Sequence, residues 1–328
     1  MPNKTGDPTR IVSVCVHGRP AKNFAENRVR TEMVQAVAAE IERAGWDRLG
    51  AVLFPGGFFY TDVYTGDQDF DGRRKYLESL PFSDGLVQAS HKLAEAYLVC
   101  GVDSAPGKPR RMPSTDVDKG DEYCVAWNSG GVQSVARKVF PTKDAGLICY
   151  ADDFGASRRL IKLKTGRIAV LCACYDVYGC EFASPKVRKS SRPGYINRIA
   201  DSTGMWEGKE LRTLRKNCVE NFAQLLRGNN VSICLGAVHQ IERLGGDNYW
   251  ERYGVANCSA ALRGLCICAT HYWEGLPDAV NPHTSTLAAS DVPARHVTQG
   301  HNSKAHRMAP LKYLYAYNDK MLARLFQY

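Results

Sequence analysis

The chain has 328 residues, 44% of them hydrophobic and 23% charged, with a formal net charge of +9. This composition excludes a disordered chain, which would carry far less apolar side chain. Twelve cysteines in this length are too dilute for a disulfide-stapled miniature, and no apolar run approaches the ~18–20 residues of a membrane span.

The start, Met1–Arg10, is polar and lacks the apolar core of a secretory signal. Most cysteines sit inside apolar runs, as reduced buried thiols of a cytoplasmic protein do. Ile11–Val16 alternates and is β-branched, so it predicts a strand. In Asn23–Ala44, Val29, Met33, Ala36, Val37 and Ile41 recur at helical spacing, and Gly45 ends the run. Leu49–Phe54 reads as a second strand, cut off by Pro55-Gly56-Gly57. A helix over Gln88–Tyr97 and a strand over Tyr97–Val102 follow, then a loop over Asp103–Gly120.

Tyr123–Trp127 and Gly131–Lys138 predict a hairpin around Asn128–Gly131. Arg159–Lys164 and Arg167–Tyr175 predict another, turned at Thr165-Gly166. Beyond them the pattern gives a helix over Glu210–Arg227, a strand over Val231–Val238, a helix over Trp250–Arg263 and a strand over Leu265–Thr270. In the tail, Leu314, Tyr317, Met321 and Leu325 have helical spacing, so Lys312–Phe326 reads as a helix. Helices and strands alternate throughout, without a repeat or a linker. The expectation is one domain spanning 1–328, a mixed sheet covered by helices, with a basic insertion at about 183–217 and a C-terminal extension from about 288.

The positive charge is concentrated. Residues 183–217 hold nine Lys/Arg against three acids, or +6, which leaves +3 for the rest of the chain. Such a segment suits an anionic partner, a rim of a pocket, or a solvated surface insertion.

The strand Ile168–Cys174 is the most informative segment. Period two puts Ile168, Val170, Cys172 and Cys174 on one face. Cys174 ends the strand, where α/β proteins place reactive groups, and a thiol there is either a nucleophile or a core filler. Cys172 reads as a filler. Val135–Lys138 is a strand ending in Arg137-Lys138. A lysine at a strand end is usually surface charge, but one beside a thiol would favour the thiolate and hold a developing oxyanion.

These segments carry a resemblance. Leu53-Phe54-Pro55-Gly56, Arg137-Lys138, and Cys174-Tyr175-Asp176 with Glu181 five residues later occur in the order, and at similar separations, of landmarks in the nitrilase (carbon–nitrogen hydrolase) superfamily. The sequence resembles that family from Ile11 to about Leu287. The resemblance implies a four-layer α-β-β-α sandwich, dimerisation through an outer helical face, and no cofactor or metal. It implies a cysteine-dependent hydrolase or acyltransferase, with Cys174 as nucleophile on an amide or nitrile carbon of a small molecule, forming a thioester or thioimidate. Lys138 would hold the oxyanion, the Tyr175 backbone N–H would be a second donor, and Glu181 would support the loop.

The sequence departs from the pattern at Gly56, where the family has its general-base Glu. General acid–base help is worth about 10²–10⁴ in rate, so a pseudoenzyme or binding scaffold of the same fold is the competing reading. A replacement carboxylate is sought at Asp62, Asp67, Asp69 and Asp71, or at Asp144, Asp152 and Asp153. His239 and His271 each end an apolar strand and are able to line the same cleft, though a satisfied or solvent-facing histidine is the commoner outcome. Cys266-x-Cys268 lacks the further ligands, at suitable spacing, of a metal site.

Overall fold

The computed structural model describes residues 7–63, 68–105, 120–138, 147–150, 157–174, 176–179, 196–200, 205–206, 220–240, 254–273, 287–293 and 308–328. The strands in chain order are β1 (Arg10–His17), β2 (Leu49–Leu53), β3 (Phe59–Thr61), β4 (Tyr97–Ser104), β5 (Glu122–Asn128), β6 (Gly131–Arg137), β7 (Leu147–Tyr150), β8 (Leu160–Lys162), β9 (Ile168–Ala173), β10 (Ile196–Ala200), β11 (Met205–Trp206), β12 (Val231–Gln240), β13 (Leu265–Tyr272), β14 (Ala288–Ser290), β15 (Lys312–Ala316) and β16 (Met321–Gln327). The first three helices are α1 (Asn27–Arg43), α2 (Phe70–Glu78) and α3 (Pro81–Lys92).

Thirteen strands form one hydrogen-bonded assembly that divides into two sheets. One runs β6-β5-β4-β2-β1-β16-β15, with β3 extending the β2 edge of β4. The other runs β8-β9-β12-β13-β14. Among the described residues they pair edge to edge at one corner, where β1 meets β13 at Val16↔His271 and His17↔Tyr272.

Three apolar cores show how the layers stack. Ile11, Leu53, Val99 and Ala126 of the first sheet meet Leu171, Leu235, Ile267 and Ala269 of the second, so the two sheets lie face to face. Alanines recur on that face (51, 126, 136, 169, 173, 237, 269, 288) and let the sheets approach closely. The outer face of the first sheet carries Val12, Val14, Val52 and Leu98 against Met33, Val37 and Ile41 of α1 and Phe82 and Leu86 of α3. The outer face of the second carries Val170, Cys234, Cys266 and Cys268 against Phe222 and Leu225, in the helical residues 220–228, and against Cys258 and Ala260 in the helix Asn257–Leu262. The order of layers is α-β-β-α, as the resemblance implies.

Most expected elements are present among the described residues, with shifted ends; 106–119 of the expected loop, and 210–219 and 250–253 of the two later helices, lie outside them. The helix expected over Gln88–Tyr97 starts earlier, with Pro81 in its first turn, where a missing N–H costs nothing. The tail corrects the expectation. Lys312–Phe326 is not a helix but the hairpin β15–β16, and β16 lies antiparallel along all of β1 from Arg10↔Gln327 to Val16↔Met321. The turn Tyr317-Asn318-Asp319 holds three positive φ angles (54°, 53° and 61°), two of them on residues that tolerate that region. Six consecutive residues of β16, Met321–Phe326, are buried, because both of its faces are covered. Leu314, Tyr317, Met321 and Leu325 fit a helix by number alone, and tertiary pairing overrides them. Residues 147–206 also contribute a separate small sheet, β11-β10-β7. Of the basic segment only 196–200 and 205–206 are among the described residues. Among the described residues no helix is long and apolar enough to cross a membrane.

Because β16 closes the space between the sheets, its aromatic side chain is a test of this packing. Phe326 is 1% exposed and belongs to the inter-sheet core. Phe326→Ala should destabilise the fold by about 3–5 kcal/mol, read as a lowered denaturant midpoint, whereas Tyr313→Ser, at a residue 67% exposed, should leave the midpoint unchanged.

Candidate active site at the strand tips

The site is assembled by five strand ends, those of β4, β5, β6, β9 and β12. β5 and β6 form the hairpin expected from Asn128–Gly131, paired Tyr123↔Arg137 and Cys124↔Ala136. One step further the Lys138 N–H donates to the Glu122 carbonyl, 2.8 Å. Neighbouring residues on a strand point to opposite faces, and the two adjacent pairs here form two separate ion pairs. Arg137 donates Nε and Nη2 to Asp121 Oδ1 at 2.8 and 2.6 Å, and Tyr123 donates its hydroxyl to Asp121 Oδ2 at 2.9 Å. Lys138 Nζ lies 2.7 Å from both Glu122 oxygens. The Lys138 side chain is 3% exposed and that of Glu122 23%. Burial works against the ammonium, but the Glu122 carboxylate outweighs it, with Cys174 and Asp176 adding to the pull. Lys138 is therefore held above the ordinary lysine range.

Cys174 follows directly on β9. Val170, Cys172 and Cys174 share one core cluster, as period two demands, and Cys172 is a filler within it. Cys174 is different. Its φ is +47°, a left-handed conformation that costs a non-glycine residue roughly 1–2 kcal/mol. Its N–H donates to the Ala237 carbonyl of β12 (2.8 Å), and the chain then turns sharply into the short helix Asp176–Gly179. Behind the turn, fully buried Asp176 meets Arg159 at 3.5 Å (Oδ2 to Nη1), and Arg159 Nη2 donates to the Arg137 carbonyl at 2.9 Å. Arg159 thus ties the turn after the thiol to the strand that carries Lys138.

His239, near the end of β12, supplies the next part. Its Nε2 lies 2.9 Å from both oxygens of Asp103 on β4, and its Nδ1 lies 3.4 Å from Glu122 Oε2. The Cys174 Sγ, one His239 nitrogen and one Glu122 oxygen all lie within 4.8 Å of one another. Burial opposes charge on the ring, yet Asp103 and Glu122 together win, so His239 sits well above the ordinary histidine range. His271, the other strand-end histidine, behaves oppositely. It is buried beside Phe58, with Nδ1 3.1 Å from the Gly18 carbonyl oxygen, and burial pushes it well below that range, helped by Arg30 and His239.

Gly56 is where the sequence lacks the expected base. A Cβ built there would stand 2.7 Å from His239 Nδ1 and 2.8 Å from the His239 backbone nitrogen. The imidazole occupies the ground that a side chain at position 56 would need. At Gly57, φ is +60° and a Cβ would meet Asp103 Oδ2 at 2.7 Å. Both glycines are thus required by the His239–Asp103 pair.

The structure therefore brings Cys174 and Lys138 together and adds Glu122, His239 and Asp103. Sequence reasoning sought the carboxylate elsewhere. Asp62, Asp69 and Asp71 are exposed, and Asp69 caps α2 by accepting from the Gly72 N–H. Asp67, Asp144, Asp152, Asp153, Tyr175 and Glu181 lie outside the described residues. Glu122 stands opposite Lys138 only because the register shifts between Ala126 and Trp127, so the spacing from the turn alone does not point to it.

Two groups among the described residues have metal-ligand spacing: Glu122/Cys174/His239, and the buried thiols Cys234/Cys258/Cys266. In the first, the Lys138 ammonium already sits against both Glu122 oxygens, so a divalent cation would compete with it. In the second, burial pushes Cys266 up to about 12, where the thiol stays protonated and metal binding is opposed.

No family model matches the sequence, and no curated protein matches it. Among solved structures, an amidase from Nesterenkonia sp. aligns at 14% identity and a TM-score of 0.47, covering 98% of this chain and 91% of that one. A double mutant of the amidase from Nesterenkonia sp. AN1, in complex with acrylamide, aligns at 13% identity and a TM-score of 0.48, covering 99% and 92%. Saccharomyces cerevisiae Nit3, a member of branch 10 of the nitrilase superfamily, aligns at 13% identity and a TM-score of 0.45, covering 97% and 89%.

Two substitutions probe the construction of the site. Glu122→Gln removes the carboxylate that neutralises buried Lys138, and breaking such a pair from one side costs about 3–5 kcal/mol. A clear fall in melting temperature is expected. Gly56→Ala forces a methyl group onto the His239 ring and should cost about 1–3 kcal/mol as overpacking. Melting curves equal to wild type for either variant would contradict the geometry.

Proposed function

We propose that this chain is a cysteine-dependent hydrolase of the nitrilase superfamily, acting on the amide or nitrile carbon of a small molecule. The observation that carries the reading is the placement of one thiol. Cys174 stands on a strained turn at a strand tip, within 4.8 Å of His239 and Glu122, in a site with a buried, ion-paired lysine. Strain of this kind persists only where the surroundings impose it, and it is common at nucleophiles.

The Cys174 sulfur attacks the substrate carbon, forming a C–S bond while the π electrons move to oxygen or nitrogen. The Lys138 ammonium, kept charged by Glu122, faces the developing anion, and the resemblance assigns the Tyr175 N–H the role of a second donor. Collapse of the adduct releases ammonia or an amine and leaves a thioester on the amide route; a nitrile passes first through a thioimidate. Water then cleaves the acyl-enzyme. The resemblance carries to this chain a role for Glu181 in supporting the loop, and assembly into dimers or larger homo-oligomers. The basic segment 183–217, with its formal +6, suits an anionic partner.

The scaffold reading rests on the absence of a base at Gly56. It loses force because a titratable imidazole fills that space, and labelling decides between the two. Iodoacetamide at neutral pH should alkylate Cys174 ahead of the other cysteines, with peptide mapping as the readout. Cys174→Ala should abolish amide or nitrile turnover, a loss of at least about 10³-fold. If Cys174 proves inert and its alanine variant retains every activity, the scaffold reading stands instead.

A further inference from the structure

We infer that His239, oriented by Asp103, is the proton-transfer residue of this site and takes over the task that a carboxylate at position 56 would perform. The inference rests on Cys174 being the nucleophile. Three geometric facts support it. First, His239 fills the space over Gly56, its Nδ1 2.7 Å from where a Cβ would be. Second, the Asp103 carboxylate grips Nε2 through both oxygens at 2.9 Å, which fixes the ring orientation and leaves Nδ1 for proton exchange. Third, the ring lies within reach of Cys174, in the nucleophile–base–orienter relation that activates thiols and hydroxyls on unrelated folds.

Glu122 is the rival for the role, but both its oxygens lie 2.7 Å from the Lys138 ammonium. A carboxylate so held is a counterion first. The groups that face His239 are Asp103 from β4, Glu122 from β5 and Cys174 at the tip of β9, with Lys138 behind Glu122 and His271 on β13. Two carboxylates, with Lys138 behind one of them and burial keeping His271 low, favour the imidazolium, and His239 is raised accordingly.

The proton accounting closes. The proton of the Cys174 thiol resides on His239 when sulfur attacks. On collapse of the tetrahedral adduct the C–N bond breaks, and His239 gives that proton to the leaving nitrogen. Neutral His239 then accepts a proton from the attacking water, whose oxygen bonds to the acyl carbon. The C–S bond breaks with its electrons returning to sulfur, and the proton stays on the imidazole. The sum is amide plus water giving acid plus amine.

The test compares leaving groups, using p-nitroacetanilide and p-nitrophenyl acetate as probes with the full-length protein. An anilide nitrogen needs a proton to leave, whereas nitrophenolate does not. His239→Gln should therefore lose anilide cleavage about 10²–10⁴-fold, while the initial nitrophenol release, which loses only the thiol's proton acceptor and keeps Lys138 to favour the thiolate, falls by a clearly smaller factor. Asp103→Asn, which keeps shape and removes charge, guards against a folding artefact. It should show the same selective loss in smaller measure. Removing a carboxylate favours the neutral ring, so the alkaline limb of the anilide pH profile should move to lower pH in that variant. The inference is overturned if wild type releases nitrophenol from the ester yet leaves the anilide intact, if both probes fall equally in His239→Gln, or if the Asp103→Asn profile does not move. Retention of both activities in Cys174→Ala would instead overturn the nucleophile assignment, a separate and recognisable result.

Discussion

A buried ammonium needs a carboxylate, and the arrangement of this site follows from that requirement. Lys138 is 4% exposed and follows β6, so burial strips its ammonium of most of its hydration. Glu122, directly across the hairpin, supplies the counter-charge, and the backbone bond from Lys138 N–H to the Glu122 carbonyl fixes the two together. Pairing the cation this tightly limits what Glu122 can do. Its oxygens are committed, so a proton shuttle has to come from another element. β12 lies beside β9 in the second sheet and ends near the same point, and the residue near its end is His239.

The glycines after Pro55 then acquire a physical reason. Read alone, Pro55-Gly56-Gly57 looks like a strand terminator that has lost a function. In the fold it is a cradle: the Gly56 N–H donates to the Val238 carbonyl at 3.1 Å, and the Gly101 N–H donates to the Pro55 carbonyl at 3.0 Å. That backbone runs between β4 and β12 so closely that a Cβ at Gly101 would meet the Gly56 Cα at 2.3 Å. Only a chain without side chains at 56 and 57 leaves room for the imidazole and for the Asp103 carboxylate beside it. A residue type that resembles a deletion of chemistry instead makes space for a different one.

How far the sequence disclosed this depended on the range of the interaction involved. Period-two alternation correctly placed Val170, Cys172 and Cys174 on one face, because a strand's own geometry dictates it. The Lys138–Cys174 juxtaposition was legible only through the order of segments, since the two strands lie in different sheets. Glu122 was hidden by a register shift. The turn pairs Asn128 with Gly131, which continued evenly would set Lys138 opposite Asp121. A bulge between Ala126 and Trp127 moves it to Glu122. One inserted residue changes which face an opposing side chain meets, and nothing local in the sequence announces it. The tail failed for a related reason. Four residues matched a helical spacing, but the surface that decided their state, β1, lies some three hundred residues away in the chain.

The remaining question is why a fold tolerates a strained nucleophile beside four ionisable neighbours. Asp103 and Glu122 offset Lys138 and protonated His239, so the only charge left without a counterpart in the reactive state is that of the Cys174 thiolate. Each charged group also finds its partner on a different strand: Asp103 on β4, Glu122 on β5, Lys138 after β6, His239 on β12. None can move without disturbing a ladder that is fixed by apolar packing elsewhere. The φ of Cys174 is held in the same way, by its N–H on Ala237 and by buried Asp176 against Arg159. Ala237 precedes His239 by two residues on the same strand, so the anchor of the thiol and the carrier of the imidazole are set by one element. A shift of β12 would therefore move nucleophile and proton carrier together, which preserves their separation. In such an arrangement stability of the sheet and geometry of the site are one constraint.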